Sequence, residues 1–74
     1  MILTVDKNLK ISVFEQIIKQ ITGMINNGTL KTGERLPSTR ELAELSGVSR
    51  STISRVYEEL WVQGYIESTP GSYT

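Results

Sequence analysis

Hydrophobic positions recur at helical spacing in three stretches of the chain. Phe14, Ile17, Ile18, Ile21, Met24 and Ile25 fall on one stripe of an amphipathic helix. Ser12 precedes them with Glu15 three residues on, the spacing of a capping box. Asn26-Asn27-Gly28 closes the pattern with a glycine suited to the left-handed position after a helix. This predicts a first helix over about 12–27. Residues 28–37 hold Gly28, Gly33 and Pro37 and read as a loop, with a minimal strand around Arg35-Leu36. Ser38 and Glu41 repeat the capping-box spacing, and Leu42, Ala43 and Leu45 form the inward side of a helix of about two turns. Ser46-Gly47-Val48 breaks it. Ser49 opens a third helix, over about 49–63, with Ile53, Val56, Tyr57 and Leu60 on its inward side, and Gly64 ends it. Residues 2–5 favour a short strand or an extended arm. Tyr65 to Ser68 alternates as a strand, and Thr69-Pro70-Gly71-Ser72 is a turn leading into Tyr73-Thr74.

Composition narrows what such a chain can do. Its 74 residues allow one small domain, 1–74, with a core but no deep catalytic pocket. The chain has no Cys and no His, which removes disulfides, thiolate chemistry, the usual general base and the commonest transition-metal ligand. Neither a cofactor nor a metal is expected, and binding rather than catalysis is the expected activity. No apolar run approaches the length of a membrane span and no export signal is visible, so a cytoplasmic location with no membrane partner is expected.

The helix pair around Gly47 gives the first functional signal. Two helices joined by a three-residue turn containing glycine make the helix-turn-helix pattern, whose second helix can enter a DNA major groove. Gly47 relieves the reversal, Val48 pins the turn, and Leu42, Leu45, Ile53 and Val56 lock the crossing angle. The first turns of the third helix then protrude. At about 100° per residue, Ser51 and Arg55 lie opposite its apolar stripe, flanked by Arg50, Thr52 and Ser54. From Ser49 to Arg55 there are two Arg, four hydroxyls and no acid. Hydroxyls and Arg bind phosphate oxygens, and Arg also grips guanine. A helix N-terminus adds free N–H groups and a positive dipole end.

The net charge of zero argues against a nucleic-acid partner only until it is divided along the chain. Residues 31–57 carry Lys31, Arg35, Arg40, Arg50 and Arg55 against Glu34, Glu41 and Glu44, for a local charge of +2. Residues 58–74 carry Glu58, Glu59 and Glu67 with no base, for −3, and residues 1–30 stand at +1. The zero averages unlike regions.

Taken together, three runs resemble the winged helix-turn-helix domain of GntR-family bacterial transcription regulators. They are Gly33-x-x-Leu36-Pro37-Ser38-Thr39-Arg40-Glu41-Leu42-Ala43, Gly47-Val48-Ser49-Arg50-Ser51-Thr52-Ile53, and Leu60-x-x-x-Gly64-Tyr65-Ile66. Val13 to Ile17 and Ser54 to Leu60 look most like the YtrA or MocR branches. The resemblance implies a mostly helical α+β winged-helix fold, a three-helix bundle with a two-stranded β-wing over about 69–74. It implies sequence-specific binding of double-stranded operator DNA, with Arg40, Ser49, Arg50, Thr52 and Gly71 matching the family's DNA-contacting positions. The full candidate interface is Ser38, Thr39, Arg40, Ser49, Arg50, Ser51, Thr52, Ser54, Arg55, Gly71 and Ser72. Arg50, Ser51, Thr52 and Arg55 are expected at the major groove, Ser38, Arg40 and Ser49 on the backbone, and Gly71-Ser72 near the minor groove. The family wing runs Gly-x-Gly-Thr-aromatic. Here Tyr73 replaces the second glycine, a position where side chains resist positive φ. Ser54 stands where some members carry another Arg, and Arg55 follows it. The family pattern also implies a longer regulator, homodimeric, whose effector the sequence does not indicate. In the MocR branch the continuation is an aminotransferase-like domain.

Plainer readings stand beside these. Arg40 can pair with Glu44 on the helix surface, Trp61 is expected to be partly buried, and Glu58-Glu59 reads as a solvated face. A protein-binding winged helix would need an exposed apolar patch on the third helix, where only Val62 offers one.

Overall fold

A computed structural model describes residues 3–67. Three helices follow in order: α1 over Val13–Asn26, α2 over Thr39–Ser46 and α3 over Arg50–Val62. Each begins where a serine hydroxyl accepts a backbone N–H three residues on: Ser12 from Glu15, Ser38 from Glu41 and Ser49 from Thr52. Such caps satisfy amides that a helix start leaves unpaired. At α2 the box is complete, because the Glu41 carboxylate also accepts the Ser38 N–H at 3.1 Å. At α1 only the serine half forms. Gly28, beyond the end of α1, has φ +85°, as its place in the stop signal requires.

α3 is the central element, and α1 and α2 both pack on it. Ile17 and Ile21 of α1, Leu42 and Ala43 of α2, and Ile53, Val56, Tyr57 and Leu60 of α3 are buried together with Leu30, Leu36 and Ile66. The turn between α2 and α3 is Gly47-Val48-Ser49. Gly47 has φ +71°, a conformation that costs a side-chain-bearing residue energy. Its N–H and that of Val48 both reach the Ala43 carbonyl, at 3.0 and 3.3 Å, while the Val48 side chain packs against the core.

Three expectations change, and one open alternative is decided. Leu45 is not an inward residue of α2: it is 68% exposed. Leu42, Ala43 and Ser46 mark the side of α2 that turns inward, and at about 100° per residue Leu45 falls about 100° away from their centre. It lies instead along an open groove with Leu30, Leu36 and Pro37, rimmed by Glu34, Arg35 and Glu41. The alternation at 65–68 reads burial correctly, with Ile66 buried and Glu67 exposed, yet residues 65–67 bend rather than form a strand. Alternation orders side chains, whereas a strand also needs a hydrogen-bonded neighbour. Among the described residues the only bridge position is an isolated one at Arg35; the wing expected over about 69–74 falls outside them, as do Ser68 and the turn at 69–72. Of the two alternatives for the N-terminal segment, residues 3–5 take the extended arm, and side chains hold it. Gln20 bonds both backbone groups of Thr4, accepting at 2.9 Å and donating at 2.6 Å. Gln16 does the same to Asp6, at 2.9 and 2.8 Å, and also donates to the Ile11 carbonyl at 2.8 Å. Finally, Trp61 is partly buried as expected, but at 52% exposed it joins Val62 at 68%, so α3 shows more apolar surface than the Val62 expected alone.

No helix among the described residues is long and apolar enough to cross a membrane.

Candidate nucleic-acid interface

The chemistry of the outward side of α3 changes along its length. Ser51, Arg55, Glu58 and Val62 all face away from the core and are exposed, as the helical spacing of about 100° per residue dictates. The first two turns are hydroxylic and basic, and the last turns are acidic and apolar.

At the start of α3 the hydroxyls are already engaged locally. The Ser49 Oγ caps Thr52 N at 3.3 Å, donates to Thr52 Oγ1 at 3.0 Å and lies 3.2 Å from Ser51 Oγ. Each hydroxyl still has acceptor capacity. Thr52 is half-buried, and Ser51 and Ser54 are exposed. Arg50, the first residue of α3, is exposed and has neither a hydrogen bond nor an ion pair among the described residues. Arg55 is exposed as well, but its guanidinium lies over the ring of Phe14, with Cζ 4.8 Å from the ring centroid.

Ser38, Thr39 and Arg40 stand at the N-terminus of α2. Ser38 is the cap, Thr39 is half-buried, and Arg40 is exposed. The plainer expectation for Arg40 is realised: its Nε donates to Glu44 Oε1 at 3.4 Å, in a pair about 70% exposed on each side. An exposed i,i+4 pair is worth only a few tenths of a kcal/mol, so a phosphate can displace Glu44 at little cost. The Ser38 hydrogen bonds, with the nearby Arg35 charge, hold the Glu41 carboxyl below the ordinary carboxylate range.

The link between the body of α3 and the start of α2 was not legible in the sequence. Tyr57 reads there as an apolar position of α3, and its ring is indeed 1% exposed. Its hydroxyl donates to the Pro37 carbonyl at 2.6 Å, one residue before the α2 cap. Burial pushes the Tyr57 hydroxyl well above the usual tyrosine range, so it remains a donor at any physiological pH. The recognition-helix candidate and the start of α2 are thereby tied by one part-buried bond. A buried tyrosine usually finds a polar partner, which is the only sequence-level hint of it. Gly71 and Ser72 lie outside the described residues, and their place relative to α3 is left to the resemblance.

The pattern of gntR-type bacterial regulatory proteins matches residues 14–74. The chain belongs to the GntR family. It is 39% identical over 72 residues to the probable rhizopine catabolism regulatory protein MocR of Rhizobium meliloti, covering 97% of this chain and 15% of that protein. It is 37% identical over 70 residues to the transcriptional repressor YtrA of Bacillus subtilis, covering 95% and 54%. Among solved structures, the GntR-family transcription factor YtrA of Sulfolobus acidocaldarius superposes with a TM-score of 0.89 at 37% identity, over 99% of this chain and 78% of that one. The DNA-binding domain of AraR in complex with operator ORX1 superposes with a TM-score of 0.81 at 27% identity, over 100% and 98%. The chain thus spans about one-seventh of MocR and about half of the Bacillus YtrA.

Proposed function

We propose that this GntR-family helix-turn-helix domain binds double-stranded operator DNA sequence-specifically, as the DNA-binding part of a bacterial transcription regulator. One observation carries the reading. The protruding first turns of α3 present Arg50, Ser51, Ser54 and Arg55 with no acidic residue among them, directly after a glycine turn that α2 buttresses. Operator recognition by the AraR domain, a structural neighbour, supports it. Arg50 and Ser51 read the major groove, with Thr52 at its edge. Ser38, Thr39, Arg40 and Ser49 hold the phosphate backbone through two capped helix starts. The wing over about 69–74 approaches the neighbouring minor groove through Gly71-Ser72. The domain binds and performs no chemistry, and the regulator acts in the cytoplasm as a homodimer on two half-sites about one helical turn apart. The name of the Bacillus YtrA supports repression as the outcome.

Fluorescence anisotropy on a duplex recovered by selection from random sequence tests this. With about four to six phosphate contacts per half-site, log K falls against log salt with a slope of about −0.9 per contact. A flat salt response, or equal affinity for selected and scrambled duplexes, refutes the assignment. A protein-docking reading draws on the exposure of Trp61 and Val62. It predicts that changing these two residues, and not Arg50, abolishes function.

A further inference from the structure

We propose that Phe14 is a positioning residue, which stacks Arg55 and commits it to a phosphate at the flank of the groove rather than to a base edge. The proposal rests on the DNA-binding reading above. Arg55 leaves α3 on the side opposite the core, together with Ser51, and an unrestrained arginine there would extend along the outward line of the helix. Its guanidinium instead lies over the Phe14 ring, Cζ 4.8 Å from the centroid. Phe14 belongs to the first turn of α1 and is half-buried, packed against the core, so the fold sets its position. No carboxylate pairs with Arg55 among the described residues.

Two physical consequences follow. A guanidinium with one face on an aromatic ring keeps its in-plane N–H donors free, so stacking restricts the side chain without using its hydrogen-bonding capacity. Leaning toward α1 also carries the charge off the outward line of α3. Base edges lie along that line when a helix enters the groove, whereas the phosphate strands run along the groove walls, beside the elements that flank the helix. Arg50 has no such restraint, stands at the start of α3 and keeps the outward reach. The two arginines thus take different tasks: Arg50 discriminates and Arg55 anchors. The residue before it, Ser54, is exposed as well, but its neutral hydroxyl carries no charge, so the stacked Arg55 is the cationic anchor of this part of α3.

A double-mutant cycle with Phe14→Leu and Arg55→Ala tests this, measured by anisotropy on the selected duplex and a scrambled one, with thermal unfolding of each variant alongside. Arg55→Ala should weaken both duplexes alike by roughly tenfold, the low end for a hydrogen bond to a charged group. It should also make the salt slope shallower by about 0.9. Phe14→Leu should weaken both by about threefold, as expected for a cation–π contact at an exposed site. The double variant should be no weaker than Arg55→Ala alone. The proposal is overturned if Arg55→Ala relaxes preference at one base pair, or if the two losses multiply in the double variant. Should Phe14→Leu fail to fold, the base-preference profile of Arg55→Ala decides alone, with a uniform loss supporting and a position-specific one overturning. A wild-type chain that binds no duplex refutes the DNA-binding reading itself, whereas binding with the overturning pattern refutes only the role of Phe14.

Discussion

The two ends of α3 share one buried stripe and differ in everything else. Ile53 in the first half and Leu60 in the second are equally inaccessible, and Val56 and Tyr57 join them into a continuous core contact. On the outward line the first half carries Ser51 and Arg55, and the second carries Glu58 and Val62. The contrast shows that a single helix can meet one fold requirement along its whole length while confining an interface to its first turns. The acidic end has a consequence for any polyanion: the carboxylates of Glu58 and Glu59 on α3, with Glu67 beyond it, oppose its approach at that end while the basic start of the helix favours it.

The contrast can be broken or sharpened in graded steps. The largest effect tests the shared stripe. Leu60→Ala should cost about 2–5 kcal/mol of stability, as for other buried leucines, whereas Val62→Ser, two positions away and exposed, should stay within about 0.5 kcal/mol. Urea unfolding monitored by Trp61 fluorescence or circular dichroism reads both, and comparable losses would remove the distinction between inner and outer lines. Next comes the polar half. Arg50→Ala should relax preference at one base position by about 1–3 kcal/mol with stability unchanged, while Glu58→Gln should leave the preference profile as it was; selection followed by sequencing resolves the two. A smaller change tests the tie between α3 and the start of α2. Tyr57→Phe keeps the buried ring and removes the bond to the Pro37 carbonyl, so stability should fall by about 1–2 kcal/mol. An unchanged unfolding midpoint would mean that water replaces the hydroxyl without loss.

The smallest effect concerns pH. The Glu41 carboxyl is held below its ordinary value by the bonds from Ser38, so it binds protons less readily in the folded chain than in the unfolded one. Its contribution is fully present above the unfolded carboxylate value and is lost as pH falls through the lowered folded value. A thermal midpoint measured from pH 7 down to pH 3 should therefore decline on the acid side, and Glu41→Gln should flatten part of that decline. An identical profile in the variant would show that the capping carboxylate does not contribute to acid sensitivity.

Much of the fold was legible because its determinants are local. The helix ends fall within about a residue of the predicted limits, since a cap and its amide are three residues apart and Gly47 adopts its positive φ regardless of distant neighbours. The basic start of α3 was equally plain, because seven consecutive residues write it out. The misreadings concern what a distant element covers or pairs with: residues 65–67 alternate without a strand partner among the described residues, and the others turn on which flank of a stripe is covered. Leu45 lies beside an apolar stripe, and only the placement of the neighbouring helices decides that it stays exposed. Gln16 and Gln20 show the reverse: polar side chains on α1 replace a strand partner for the arm, a role that depends on residues ten and sixteen positions away.

Periodicity, caps and the glycine turn are properties of short segments, so the sequence alone determined that three helices form, where they begin and end, and that α3 opens with a hydroxylic, basic surface. Tertiary structure decided the rest, because it brings together residues that share no local signal. It set Arg55 against Phe14, joined the Tyr57 hydroxyl to the Pro37 carbonyl twenty residues away, and so distinguished two arginines that are chemically identical in the sequence.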